Sequence, residues 1–107
     1  MAIRNSTIST TETDIFVCPG VSQEEHAVTC IIFCNVSALD STLDLYVIPN
    51  GEVLASKHQI IKTLAVAATD TVTFDTEKII LSTGDRIVAK SEIDASIVCT
   101  VSSMRVS

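Results

Sequence analysis

His26-Ala27-Val28-Thr29-Cys30-Ile31-Ile32-Phe33-Cys34-Asn35-Val36 carries no glycine, no proline and no charged side chain after its opening histidine. Val28, Cys30, Ile32 and Cys34 fall on one alternating set, and Ile31 and Phe33 on the other. Successive side chains of a strand point to opposite faces, so this pattern predicts a central strand covered on both sides. Side chains branched at Cβ crowd the preceding turn of a helix but fit a pleated surface. The segment is therefore a strand, and it sets the fold class for what surrounds it.

The same bias runs outward through the chain. Of 107 residues, 13 are Ile, 12 Val and 13 Thr, with three Gly and two Pro. Upstream, Asp14 to Cys18 predicts a strand after a Ser/Thr-rich lead, and Pro19-Gly20 predicts a turn. Downstream, Thr42 to Ile48 alternates, with Leu43, Leu45 and Val47 on one face and Asp44 and Tyr46 on the other. Pro49-Asn50-Gly51 is the sharpest turn signal, because Pro presets φ and Asn-Gly tolerates positive φ. Val53-Leu54 and Lys57 to Leu64 predict the returning strand. Ala65 to Asp70 has a helix-friendly composition but is too short to stand as a helix. Thr71 to Phe74, Lys78 to Leu81, Arg86 to Lys90 and Ala95 to Val101 predict further strands, with Ser82-Thr83-Gly84-Asp85 as a tight turn and a last edge segment to Val106.

Short strands at this spacing imply a sandwich or barrel. The expectation is an all-β chain: a single antiparallel β-sandwich of jelly-roll character with about eight short strands, spanning 14–107. Residues 1–13 form an N-terminal arm or edge segment. The core is expected to be aliphatic, since Phe16, Phe33, Phe74 and Tyr46 are the aromatics and Trp is absent.

The formal net charge is −6, and the cations Arg4, Lys57, Lys62, Lys78, Arg86, Lys90 and Arg105 are scattered. Nucleic-acid binding needs a basic stripe to displace counterions, and an anionic membrane asks for the same; neither partner is expected. No apolar run approaches the roughly 20 residues of a spanning helix. Met1 to Thr7 lacks the apolar region of a secretory signal, which makes a reducing cytoplasm the expected place of synthesis. Cys18, Cys30, Cys34 and Cys99 are then expected as free, buried thiols, with a cross-strand Cys18–Cys99 disulfide as the alternative. Cys30 and Cys34 share a face of one strand but stand about 13 Å apart at ~3.3 Å per residue, too far to pair. No CxxC or HxxxH spacing suggests zinc.

Most of the carboxylates, including Glu24, Glu25, Asp40, Glu52, Asp70, Asp75, Glu77, Asp85 and Asp94, fall at turns, where solvated charge is the default. A paired-carboxylate hydrolase needs a cleft that this chain has little room for. His26 and His58 read as partly exposed imidazoles at strand ends; a Cys–His nucleophile pair would have to meet in space. Asp75-Thr76-Glu77 is a weak calcium signal, short of the six or more oxygens such a site needs. Asn5-Ser6-Thr7 and Asn35-Val36-Ser37 match the glycosylation sequon, but Asn35 is better placed to cap a turn. No catalytic, cofactor or metal site is expected. The chain is rich in apolar β-surface for one small core, so Ile48, Ile60 and Val106 are expected to face outward toward a partner or oligomer.

Several segments are similar to a known group. Asp14 to Gly20 followed by Ala27 to Asn35, with Leu43 to Pro49, Thr73 to Leu81 and Thr83 to Ile87, resembles small tailed-bacteriophage virion structural proteins of marine and cyanophage type. The likeness runs from about Asp14 to the C-terminal end, and Asp75 to Leu81 is its least generic piece. It implies a β-sandwich that decorates or joins parts of a virion, often as a homotrimer or other homo-oligomer. The lead would be an arm that docks on a neighbour. The implied role is non-enzymatic: an accessory, cement-type component on the major capsid protein. The alternatives are a neck or tail component, or a receptor- or glycan-binding module in which Tyr46 would stack on a sugar.

Overall fold

Nine strands and one 3-10 turn account for the regular structure in the computed structural model, which describes residues 2–18, 24–74, 79–93 and 96–106. In chain order they are β1 (Ala2–Ile8), β2 (Thr13–Val17), β3 (Glu25–Asn35), β4 (Ser41–Ile48), β5 (Gln59–Val66), β6 (Thr71–Phe74), β7 (Ile79–Ser82), β8 (Arg86–Ser91) and β9 (Ile97–Arg105), with the turn at Ser56–His58 before β5. All pairings are antiparallel. One sheet has the order β1-β9-β3-β6, with β7 also on β3; the other has the order β2-β8-β4-β5. β6 pairs with Ile31–Cys34 and β7 with Glu25–Val28, so the two short strands share one position beside β3. The chain passes from sheet to sheet between most consecutive strands, and the resulting order is that of a jelly roll. The expected sandwich is the observed one, with nine strands in eight positions.

The sheets close on a largely aliphatic core. Ile8, Ile31, Phe33, Leu45, Ile87 and Ile97 are fully enclosed, and Phe16 and Cys99 join them. Each such side chain contributes about 1.5–3 kcal/mol relative to leaving it in water. The lead segment enters this core: β1 is paired residue for residue with β9, and its Ile8 is buried. Of the two expectations for residues 1–13 the edge segment is the one observed, and the sandwich includes it rather than starting at residue 14. Arg4 extends along the edge to lie over the Phe16 ring, 5.2 Å from its centroid, a cation–π contact between the two sheets.

β3 departs from its expected setting. It is central in its sheet, between β9 and the β6/β7 position, yet a two-layer sandwich covers only one of its faces. The register with β9 shifts between Val28 and Cys30, so Thr29 is a bulge residue. The bulge moves Val28 to the inner side with Ile31 and Phe33, and leaves Cys30, Ile32 and Cys34 on the outer side. The outer β4 positions differ in the opposite sense. Tyr46 and Ile48 were expected outside; both are buried, with Val88, beneath Leu54. The segment from 49 to 58 folds back over the outer face of β4 and β8, and Val53-Leu54 lies in this cover rather than in a strand. Ile60 and Val106 are exposed as expected.

Two turns dock on each other to hold that cover. Gly51 and Gly84 have φ of 84° and 90°, the region that favours glycine. A side chain at Gly84 would lie 2.4 Å from the Asn50 side chain. Asp85 accepts from the Asn50 N–H through Oδ1 at 2.8 Å and from the Ser82 N–H through Oδ2 at 2.9 Å. The predicted turn at Pro19-Gly20 lies outside the described residues.

Candidate interaction surface

The outer face of the β1-β9-β3-β6/β7 sheet can be assembled row by row from the strand register. Across its middle run Asn5, Thr100, Ile32 and Thr73. On one side of that row come Ile3, Ser102 and Cys30, and on the other Thr7, Val98, Cys34 and Thr71. Beyond the Thr29 bulge the last row is Met104, Ala27 and Ile80. None of these side chains is charged, and among the described residues Glu25 is the carboxylate at the rim of this face. Ile3 and Ile80 are more than 60% exposed, and Ile32 is 38% exposed. The Thr100 hydroxyl donates to Asn5 Oδ1 at 3.0 Å, and the Thr29 hydroxyl to the Ser102 carbonyl at 3.1 Å, so these polar groups are tied down along the sheet. Among the described residues the result is an uncharged surface of hydroxyls, thiols and aliphatic side chains.

The outer face of the β2-β8-β4-β5 sheet is different. Asp14 and Arg86 form an ion pair at 3.0 Å, Asp44 stands opposite Lys90, and Tyr46, Ile48 and Val88 are under the 49–58 cover. Its edges are also guarded. β2 has a register shift, and β5 has two, with Thr63 at φ 56° donating its N–H to Asp44 Oδ1 at 2.7 Å. Bulges of this kind keep an edge from pairing with another chain.

Several of the titratable residues singled out in the sequence are held in hydrogen bonds and ion pairs within the fold. His58 is buried in the 3-10 turn rather than partly exposed on a sheet. Its Nδ1 accepts from the Ala55 N–H at 3.0 Å, and its Nε2 is 2.9 Å from Glu52 Oε1. Because Nδ1 is an acceptor there, Nε2 carries the proton and donates to Glu52. That hydrogen bond, followed by one from Lys57, holds the Glu52 carboxyl below its ordinary value. His26 pairs with Glu24 at 3.1 Å, and Arg105 lies 3.8 Å from the same carboxylate. Asp40 and Asp44 each accept a backbone N–H, from Ala68 and Thr63.

Asn35 is fully buried and makes four hydrogen bonds: it donates to the Leu39 and Val66 carbonyls and accepts from the Ser37 N–H and hydroxyl. It organises the turn after β3, as its position suggested, and is closed to glycosylation. None of the four cysteines is in a disulfide. Cys18 and Cys99 are in the core, while Cys30 and Cys34 are half-buried on the open face, a split the sequence did not predict. Burial pushes the Cys99 thiol up to about 12 and, with the nearby Asp85 charge, raises that of Cys18. Asp75-Thr76-Glu77 and Asp94 lie outside the described residues. Among the described residues no three His, Cys, Asp or Glu side chains are grouped to hold a metal.

A groove of about 470 Å³ opens between the sheets, lined by Val47, Ile60, Phe74 and Ile79. It presents no charged or hydrogen-bonding side chain from these residues to orient a polar ligand. Tyr46 is 6% exposed beneath Leu54, which removes the aromatic platform a sugar-binding tip would use. No helix is long and apolar enough to cross a membrane among the described residues. Comparison with family models, curated proteins and solved structures gave no match.

Proposed function

We propose that this chain is a non-enzymatic structural protein of a phage virion, an accessory component of the cement type that stabilises the capsid through subunit–subunit contacts. The observation that carries the assembly role is the uncharged outer face of the β1-β9-β3-β6/β7 sheet. Interface centres are depleted of charge, and a chain with net charge −6 whose described residues keep the centre of one broad face free of charge has a surface suited to another protein. The jelly roll supports the same reading at the level of architecture, since it recurs in capsid domains, though also in lectins and cupins. The virion setting rests on the segment likeness from Asp14 onward, and the major capsid protein is the partner it suggests.

The test is direct. Purified chain added to expanded heads that lack tails should bind saturably and raise the temperature at which the heads break. Binding confined to tail-bearing particles would move the protein to the neck or tail. Absence from both fractions would sink the virion reading. A glycan-binding role would be revived by array binding that Tyr46→Ala abolishes without loss of fold.

A further inference from the structure

We infer that the occupant of the open sheet face is a second copy of this chain, packed face to face about a two-fold axis. The inference rests on the reading of this face as an interface and names its partner. Charge selects that partner. Two copies, each of net charge −6, repel wherever acidic surfaces meet. On the open sheet the described charged side chains are Glu25 and Arg105 at the ends of β3 and β9 and Arg4, which turns to the Phe16 ring, and none stands in the central outer rows. The rows centred on Ile32 and Thr100 are where two copies can approach without opposing like charges. A strongly basic or acidic partner would find no charge to pair with among the described residues of these rows.

Size and symmetry agree. β3 has 11 residues and β9 has nine, so the face is about 30 Å long at ~3.3 Å per residue. Four strand positions at ~4.8 Å make it about 19 Å wide, on the order of 550 Å² per copy. Two copies would bury roughly 1,100 Å², at the lower end of what a specific interface needs. Three of the outer rows mix hydroxyl-bearing with apolar side chains and the fourth, Met104-Ala27-Ile80, is apolar throughout, so the face can meet itself with sheets packed about 10 Å apart. A face that meets itself gives a closed dimer, whereas a trimer would need it to meet a different surface of the next copy.

Sedimentation velocity on the isolated protein, from about 5 to about 500 µM, should show a concentration-dependent dimer, as expected for an interface this small. Salt gives a distinctive sign. Screening weakens repulsion between acidic copies, so raising NaCl from about 0.05 to about 0.5 M should strengthen association. Ile32→Glu and Thr100→Glu should each raise the dimer Kd at least about tenfold while leaving the circular dichroism and melting of the monomer in place. Lys90→Glu, on the other sheet, should not weaken the dimer through this contact. Maleimide modification of Cys30 and Cys34 should slow at concentrations where the dimer forms. A protein that stays monomeric across the range, or an oligomer that ignores both glutamate variants, overturns the inference. The two readings fail separately. A monomer that still binds heads refutes only the dimer, and a dimer that binds no virion particle refutes only the virion role.

Discussion

Both outer faces of this sandwich carry apolar β-surface, and the two end in different states. On one, Tyr46, Ile48 and Val88 are sealed under Leu54 by a segment pinned through Asp85, Asn50 and Gly84. On the other, Ile3, Ile32, Ile80 and Met104 stand in the open with Thr, Ser and Cys between them. The covered face also carries the ion pair Asp14–Arg86, and its edge strands β2 and β5 carry bulges; on the open face the bulge at Thr29 lies between the central strands and, among the described residues, no ion pair crosses the central rows. The chain thus contains its own example of how an apolar β-surface is closed within one subunit. Leaving the second surface open and uncharged is what gives it the character of an interface.

The cysteines offer the sharpest way to break this comparison. In the native monomer Cys30 and Cys34 should react with a thiol reagent at pH 8 at least ~100-fold faster than Cys18 and Cys99, which are enclosed and whose thiols are held protonated. Four equal rates would mean that the open face is closed or that the core is not. Truncation tests the same contrast energetically. Ile48→Ala should cost about 2–4 kcal/mol in urea unfolding, because it empties a sealed cluster. Ile32→Ala in dilute solution should cost less than about 1 kcal/mol, since its side chain is part-solvated already. Equal costs would show that Ile32 is covered within the monomer.

Gly84→Ala probes the clasp on the covered side. The substitution forces a β-carbon onto a left-handed backbone and against Asn50 at 2.4 Å, and should cost about 1–3 kcal/mol. It should also free Tyr46, the single tyrosine, so that its fluorescence becomes accessible to quencher before global unfolding. A variant as stable as the parent, with Tyr46 still shielded, would mean that the two turns do not hold the cover.

Much of the sandwich could be read from the sequence because the inner faces obey period two. Leu43, Leu45 and Val47 in β4 and Ile97, Cys99 and Val101 in β9 announce their strands without help. β1 was not announced, because its inner positions Arg4 and Ser6 are polar and only Ile8 reaches the core; its strand character comes from pairing with β9. The Thr29 bulge defeated the assignment of Val28, since one extra residue reverses the alternation that follows it. Ile48 and Tyr46 failed for a different reason: nothing local tells an outer strand residue that a distant turn will cover it. The open face was legible only in part. An excess of β-surface could be inferred from composition, but which residues share that surface depends on register between strands far apart in sequence.

Acid provides the mildest distinction between the faces. Glu52 sits in the cover, and its carboxyl is held below the ordinary value of 4.5, first by the hydrogen bond from His58 and then by Lys57. A carboxylate with a lowered folded pKa contributes stability above its unfolded value, and that contribution is lost as the pH falls through the folded one. The cover should therefore be indifferent to Glu52 above about pH 5 and loosen as the pH drops below 4.5, read as rising quencher access to Tyr46. The carboxylate is solvent-exposed, so the effect should be small. Glu52→Gln should flatten this part of the profile, because an amide cannot gain the proton, whereas Ile32→Glu on the opposite face should leave it in place. Identical acid profiles for the parent and Glu52→Gln would show that packing under Leu54 alone closes the covered face, and that the Glu52–His58 contact contributes nothing to the difference between the two.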